Sequence, residues 1–254
     1  LNFEHVIAGH ANPANSFTPR RGRYDLQRLP EGPSAVLRRR SEDDPWKLSS
    51  TFKYTIREPN CVDFEFQCQA RDAALFGERR YAVLFFANYM NDVEEVPFYF
   101  RGVESFGAEE RWIRADAPPG HADYNSGGTY RSVSAADLKY DADHNFKLNL
   151  WSYDYPRSTQ PFYYGRAKHG LAFILMFDRM HSAVDEMRFS LFKFKVPRHP
   201  RPAWDFQYVI HQVEQDKTYG FKGRLIWKKF VSEEDCQDEY LRWKNLIESR
   251  PASP

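Results

Sequence analysis

The densest run of groups able to meet a polar ligand lies at residues 146–166. With the two-residue period of a strand, Phe146, Leu148 and Leu150 point one way. Lys147, Asn149, Trp151, Tyr153 and Tyr155 point the other way. An outward strand face normally carries Thr, Lys and Glu, whereas this one carries three rings with polar tips. Such rings stack on the apolar C–H faces of a sugar, and Asn, Asp and Arg side chains bond its hydroxyls. Asp154, Arg157, Tyr164 and Arg166 continue the cluster. The expected groove therefore has Asn149, Trp151, Tyr153 and Tyr155 as its floor. Arg157, Tyr164 and Arg166 form its rim, and His121 reaches it from a long loop. The competing reading is that a second sheet covers the same aromatic face.

A second cluster, Asn88, Tyr89, Asn91 and Asp92, ends a strand-like run. It can bind a polar ligand, or simply start a turn through Asn and Asp bonds to their own backbone. A lyase acting on a uronic acid needs a group to offset the carboxylate and a Tyr or His base. Asn88, His121, Tyr153 and Arg157 supply these. A hydrolase or epimerase needs two carboxylates, or a histidine with a carboxylate. Asp92, Asp123 and Asp154 are then the candidates. The expected catalytic set is His121, Tyr153, Asp154 and Arg157. The expected substrate-binding set is Asn88, Tyr89, Asn149, Trp151, Tyr155, Tyr164 and Arg166.

Eight histidines are spread along the chain without H-E-x-x-H or comparable spacing, so no metal ligand set is assigned. His121, beside Asp123, Tyr124 and Asn125, and His10 are the most suggestive. No cofactor is expected, and a divalent metal held from separate strands stays open. The sequence has no G-x-S-x-G, no P-loop and no G-x-G-x-x-G after a strand.

The elements that must position these groups read as all-β. Residues 47–56 and 62–68 alternate on either side of Glu58-Pro59-Asn60, as a hairpin does. Residues 81–89 are apolar on both faces, as in a central strand. Further strands are expected at 98–101, 146–155, 171–177, 188–196, 203–211 and 219–229. Together they predict one large antiparallel β-sandwich over 1–254, jelly-roll or supersandwich-like, with a long insertion at about 102–143. One helix is expected at about 233–248. Ser232 caps it, Asp235 sits three positions on, and Cys236, Tyr240, Trp243 and Ile247 form its stripe.

Composition narrows the function classes. The net charge is +1, with 36 Lys+Arg against 35 Asp+Glu, so the basic excess of a nucleic-acid binder is missing. Cys61, Cys68 and Cys236 are odd in number and unclustered, which predicts free thiols. Parity sends Cys68 inward and Cys61 outward. No run approaches the roughly 20 apolar residues of a membrane helix. The chain is expected to be soluble, either cytoplasmic or with a signal removed ahead of Leu1. Oligomeric state is not legible.

The strand-rich layout, with aromatic, Arg- and Asp-bearing faces, resembles the β-sandwich proteins that handle sugars. These are galactose-mutarotase-like proteins and polysaccharide-lyase sandwich domains. The resemblance implies a carbohydrate-active protein, a lyase, hydrolase or epimerase, with an acidic oligo- or polysaccharide as ligand. The alternatives are a non-catalytic carbohydrate-binding module and a structural or interaction protein.

Overall fold

The computed structural model describes residues 1–9, 17–30, 32–116, 126–141, 154–194 and 201–249. Alternation of apolar and polar residues, with rings on the apolar side, sets most of its strands. They are β1 (Asn2–Ile7), β2 (Asp25–Arg28), β3 (Ser34–Arg39), β4 (Leu48–Arg57), β5 (Cys61–Ala70), β6 (Ala82–Ala87) and β7 (Val93–Val103). Then come β8 (Arg111–Arg114), β9 (Ser126–Tyr130), β10 (Arg157–Ala167), β11 (Leu171–Phe177), β12 (Asp185–Phe194), β13 (Arg201–Ile210) and β14 (Thr218–Lys229). A short helix α1 (Thr18–Arg21) follows β1, and α2 (Glu233–Glu248) ends the fold.

The strands form two sheets. The smaller runs β1-β6-β13-β12-β9, and the larger runs β2-β3-β4-β5-β14-β11-β10-β7-β8. The paired strands are antiparallel throughout, so the expected all-β sandwich with one C-terminal helix is the observed architecture. Between the sheets lies a ring-dense core. Phe86 of the small sheet meets Phe3 at 5.0 Å, Phe206 at 4.7 Å and Phe66 of the large sheet at 5.0 Å. Gly165 lets Trp204 approach β10, because a Cβ there would lie 2.4 Å from the indole.

The outer face of the large sheet is closed by α2. Ser232 accepts a hydrogen bond from the Asp235 N–H, and Glu233, Glu234 and Asp235 face the positive end of the helix dipole. Cys236, Tyr240 and Trp243 are buried beneath it, with Tyr240 stacked on Phe162 at 4.9 Å. Cys68 lies in the inter-sheet core and Cys61 beside the α2 contact, on the opposite faces that parity predicts. All three cysteines are free.

Two expectations need correction. The stretch 102–143, expected as an insertion without strands, supplies the last residues of β7 and two edge strands, β8 and β9. Gly127 sits in β9, so close to β12 that a Cβ would collide with the Leu191 carbonyl. The residues after 155, read as continuing the cluster of the 146–155 strand, form the eleven-residue β10. The strand expected at 146–155 falls mostly on residues outside those described. Residues 154–156 form a bend before β10.

Candidate functional site

Strands β12 and β13 send Met187, Phe189, Leu191, Trp204, Phe206, Tyr208 and Ile210 into the core. Alternation therefore puts Glu186, Arg188, Ser190, Asp205, Gln207 and Val209 on the outer face of the small sheet, with His211 just past the end of β13. The register pairs Glu186 with Val209, Arg188 with Gln207 and Ser190 with Asp205. An outer polar face normally meets solvent, yet Glu186, Arg188, Asp205 and Gln207 are each at most 2% exposed. Part of the cover comes from 132–141, whose Leu138 and Tyr140 pack over Ile7, Tyr81, Val83 and Val209. Burying so many polar groups costs stability unless they are paired, which singles this face out as the candidate site.

One end of the face gathers Glu4, Arg20, Tyr89 and Asp205. Glu4 is ion-paired with Arg20 at 2.5 Å and accepts the Tyr89 hydroxyl. Arg20 also donates to the Tyr89 oxygen at 3.3 Å. Tyr89 is 46% exposed, and its ring lies 5.6 Å from Phe194. His5 stacks on Phe85 at 4.4 Å and meets Phe17 at 5.0 Å. Burial, helped by the Arg20 charge, pulls the His5 imidazole down to about 3, so it is neutral at ordinary pH. Asp205 accepts the Asn88 backbone N–H at 2.7 Å. Burial, with the nearby Glu4 carboxylate adding to it, raises Asp205 well above the usual carboxylate range. Burial and the Glu4 bond likewise push the Tyr89 phenol up.

The other end gathers His181, Glu186 and His211. His181 Nδ1 lies 3.6 Å and His211 Nε2 3.8 Å from Glu186 Oε2. Glu186 Oε1 faces the Arg188 guanidinium, and Arg188 donates to Tyr140 Oη at 2.7 Å. Burial alone would raise the Glu186 carboxyl. The facing His211 and Arg188 outweigh it and hold it at about 2. Counting four residues along β13, from the Glu186 row to Asp205, the two ends are about 13 Å apart.

Among the described residues, the expected site residues fall in separate places. His121, Asn149, Trp151 and Tyr153 lie outside the described residues. Asp154 and Arg157 pair at 2.8 Å, Arg131 joins Asp154 at 3.3 Å, and Arg157 covers the Tyr155 ring at 5.0 Å. Asp154 is 80% exposed at its side chain, so this is a solvated ion-pair cluster. Tyr164, expected at a rim, is buried beneath α2, with its hydroxyl on Glu233 at 3.0 Å. Arg166 covers Phe230 at 4.0 Å and pairs with Glu94. Nine residues of β10 place Arg157 and Arg166 about 30 Å apart. The reason is that β10 is one continuous strand, its even-numbered Phe162 and Tyr164 docked against α2. The Asn88 side-chain amide donates to the Trp204 carbonyl at 2.8 Å and so serves the strand end. Tyr89 is thus the one expected binding residue at the Glu4–Asp205 end with an exposed ring.

Two clefts, of about 140 and 260 Å³, lie elsewhere, on the outer side of β5 and β14. The first runs along α2, and its charged wall is self-neutralised, with Asp63 bound by both Arg57 and Arg224. The polar face of the small sheet is the better candidate because Asp205, Glu186 and His5 on it are each shifted from their ordinary titration ranges. Glu4, Arg20, Asp205 and the His181–Glu186–His211 group were not legible as a site. The only sequence signal was polar residues facing out from strands too apolar to need them.

No protein-family model matches the chain, and neither does any curated protein sequence. Solved structures similar to it include a candidate aldose 1-epimerase from Escherichia coli K12. That match has 8% identity and a TM-score of 0.35, and covers 85% of this chain and 72% of the other. The GalM/aldose epimerase homologue from C. elegans matches at 12% identity and a TM-score of 0.37, covering 82% of this chain and 69% of the other.

Proposed function

We propose that this chain is a carbohydrate-active enzyme that moves protons at the anomeric centre of a neutral aldose, an epimerase-class activity. The observation that carries the reading is Asp205, a buried acid that burial raises well above the usual carboxylate range, set near the ion-paired carboxylate of Glu4. Opening a sugar hemiacetal needs a proton donor at the ring oxygen and an acceptor at the anomeric hydroxyl. Two carboxyl groups in different protonation states fill those two roles. In this reading Asp205 donates and Glu4 accepts. Arg20 holds a hydroxyl, and the exposed Tyr89 ring takes the apolar face of the sugar.

A lyase reading is weaker here. A lyase base is a phenol poised to lose its proton, and Tyr89 is pushed the other way. The test is exchange between α and β anomers of a panel of neutral aldoses, followed by polarimetry and NMR exchange spectroscopy. Wild type should accelerate the exchange. Asp205→Asn and Glu4→Gln should each lower the rate by about 10²–10⁴-fold, the usual worth of a positioned acid or base. Tyr89→Ala should mainly raise KM. Binding without acceleration would leave a binding module, and neither binding nor acceleration would overturn the carbohydrate reading.

A further inference from the structure

The His181–Glu186–His211 group goes beyond that reading and stands on its own geometry, about 13 Å along β13 from Asp205. Its three donor atoms lie within 4.8 Å of one another. His181 comes from the turn after β11, Glu186 from the start of β12, and His211 from the residue after β13. The two imidazole nitrogens that face Glu186 Oε2 are buried and make no hydrogen bond. At 3.6 and 3.8 Å they are too far from the carboxylate to bond it. Two nitrogens and one oxygen thus converge on a common point without bonding each other.

We infer that His181 Nδ1, His211 Nε2 and Glu186 Oε2 bind one first-row divalent cation of the zinc class. Zinc bonds to imidazole nitrogen and carboxylate oxygen of about 2.0–2.2 Å place tetrahedral donors roughly 3.3–3.5 Å apart. The two nitrogen–oxygen separations are within a few tenths of an ångström of that value, and side-chain rotation must draw in the two nitrogens, which lie within 4.8 Å of each other. The surroundings also match what a metal site requires of its outer partners. His211 Nδ1 faces the Ala183 carbonyl at 3.5 Å, which favours a proton on Nδ1 and a lone pair on Nε2. Glu186 is oriented through Oε1 by Arg188, and Oε2 also accepts the Ala136 N–H at 3.0 Å. Two imidazoles and a carboxylate select zinc, cobalt, iron or manganese over calcium or magnesium. The side chains of His181 and His211 are 26% and 14% exposed, while the nitrogens that face Glu186 are themselves buried.

The test uses the untagged chain, stripped by chelator and titrated with Zn²⁺ and Co²⁺ in a calorimeter. The expected result is one ion per chain, visible d–d bands for the cobalt form, and a rise in Tm with either ion. His181→Ala and His211→Ala should each weaken binding by at least about tenfold, the least that even outer partners of a metal site are worth. His169→Gln, in the exposed β10–β11 turn, should leave binding unchanged. X-ray absorption on the wild-type zinc form checks the ligands without relying on variants, and should show nitrogen and oxygen donors including two imidazoles. The inference is overturned by no stoichiometric ion, by binding that survives both histidine variants, or by sulfur in the coordination shell.

Discussion

Asp205 is raised well above the usual carboxylate range because the carboxyl is enclosed on the outer face of β13, with the Glu4 charge adding to the effect. The consequence for stability has a definite sign. The folded state holds the proton to a higher pH than the unfolded chain, whose Asp titrates near 3.9. Below that value Asp205 costs nothing. As pH rises toward the folded value, stability falls by about 1.4 kcal/mol per unit, because the folded state must bind a proton that the unfolded chain has released. Asp205→Asn keeps an acceptor for the Asn88 N–H and removes the titration. It should therefore match wild type near pH 3.5 and become progressively more stable than wild type toward pH 7, while losing turnover. Urea unfolding of both proteins across that range checks it, and a constant difference would show Asp205 to be ionised in the fold. No single-residue signal in the sequence marked this acid. In an alternating strand, an outward Asp reads as solvated until the cover over that face is known.

The elements differ in how plainly the sequence shows them, and the reason is locality. The bounds of α2 follow from Ser232, three acidic residues and a stripe at helical spacing, all within one segment. β10 was hidden because both of its faces are apolar. Tyr163 faces the core while Phe162 and Tyr164 face α2, so no alternation marks it. The four-residue β8 and five-residue β9 are too short to show a period. The His181–Glu186–His211 group draws one residue from each of three places, which no spacing rule detects. How firmly α2 is docked can be measured. Trp243 is 3% exposed, between the helix and the large sheet. Trp243→Ala should cost about 3–5 kcal/mol, read from urea midpoints at constant m-value. A loss under about 0.5 kcal/mol would mean that the helix is not held by this ring.

At the scale of the whole molecule, the two outer faces have different fates. The large sheet has its outer face sealed by an apolar helix contact, and the small sheet keeps buried polar groups on its own. Buried polar groups add little net stability, so the small sheet depends on its inner face, where Phe86, Phe206 and Phe189 pack on rings of the large sheet. The large sheet depends on the same rings from the other side. Chains longer than about 150 residues often unfold through intermediates, but that requires one part to keep a core of its own. Here the main core is shared by both sheets, so neither should outlast the other. Hydrogen exchange in rising denaturant should therefore show peptides from β13 and β11 losing protection together. A reducing agent should not move the midpoint, because all three cysteines are free and Cys68 is sealed in the core. Earlier loss of protection in β13 than in β11 would show that the polar face of the small sheet makes it an independently opening unit.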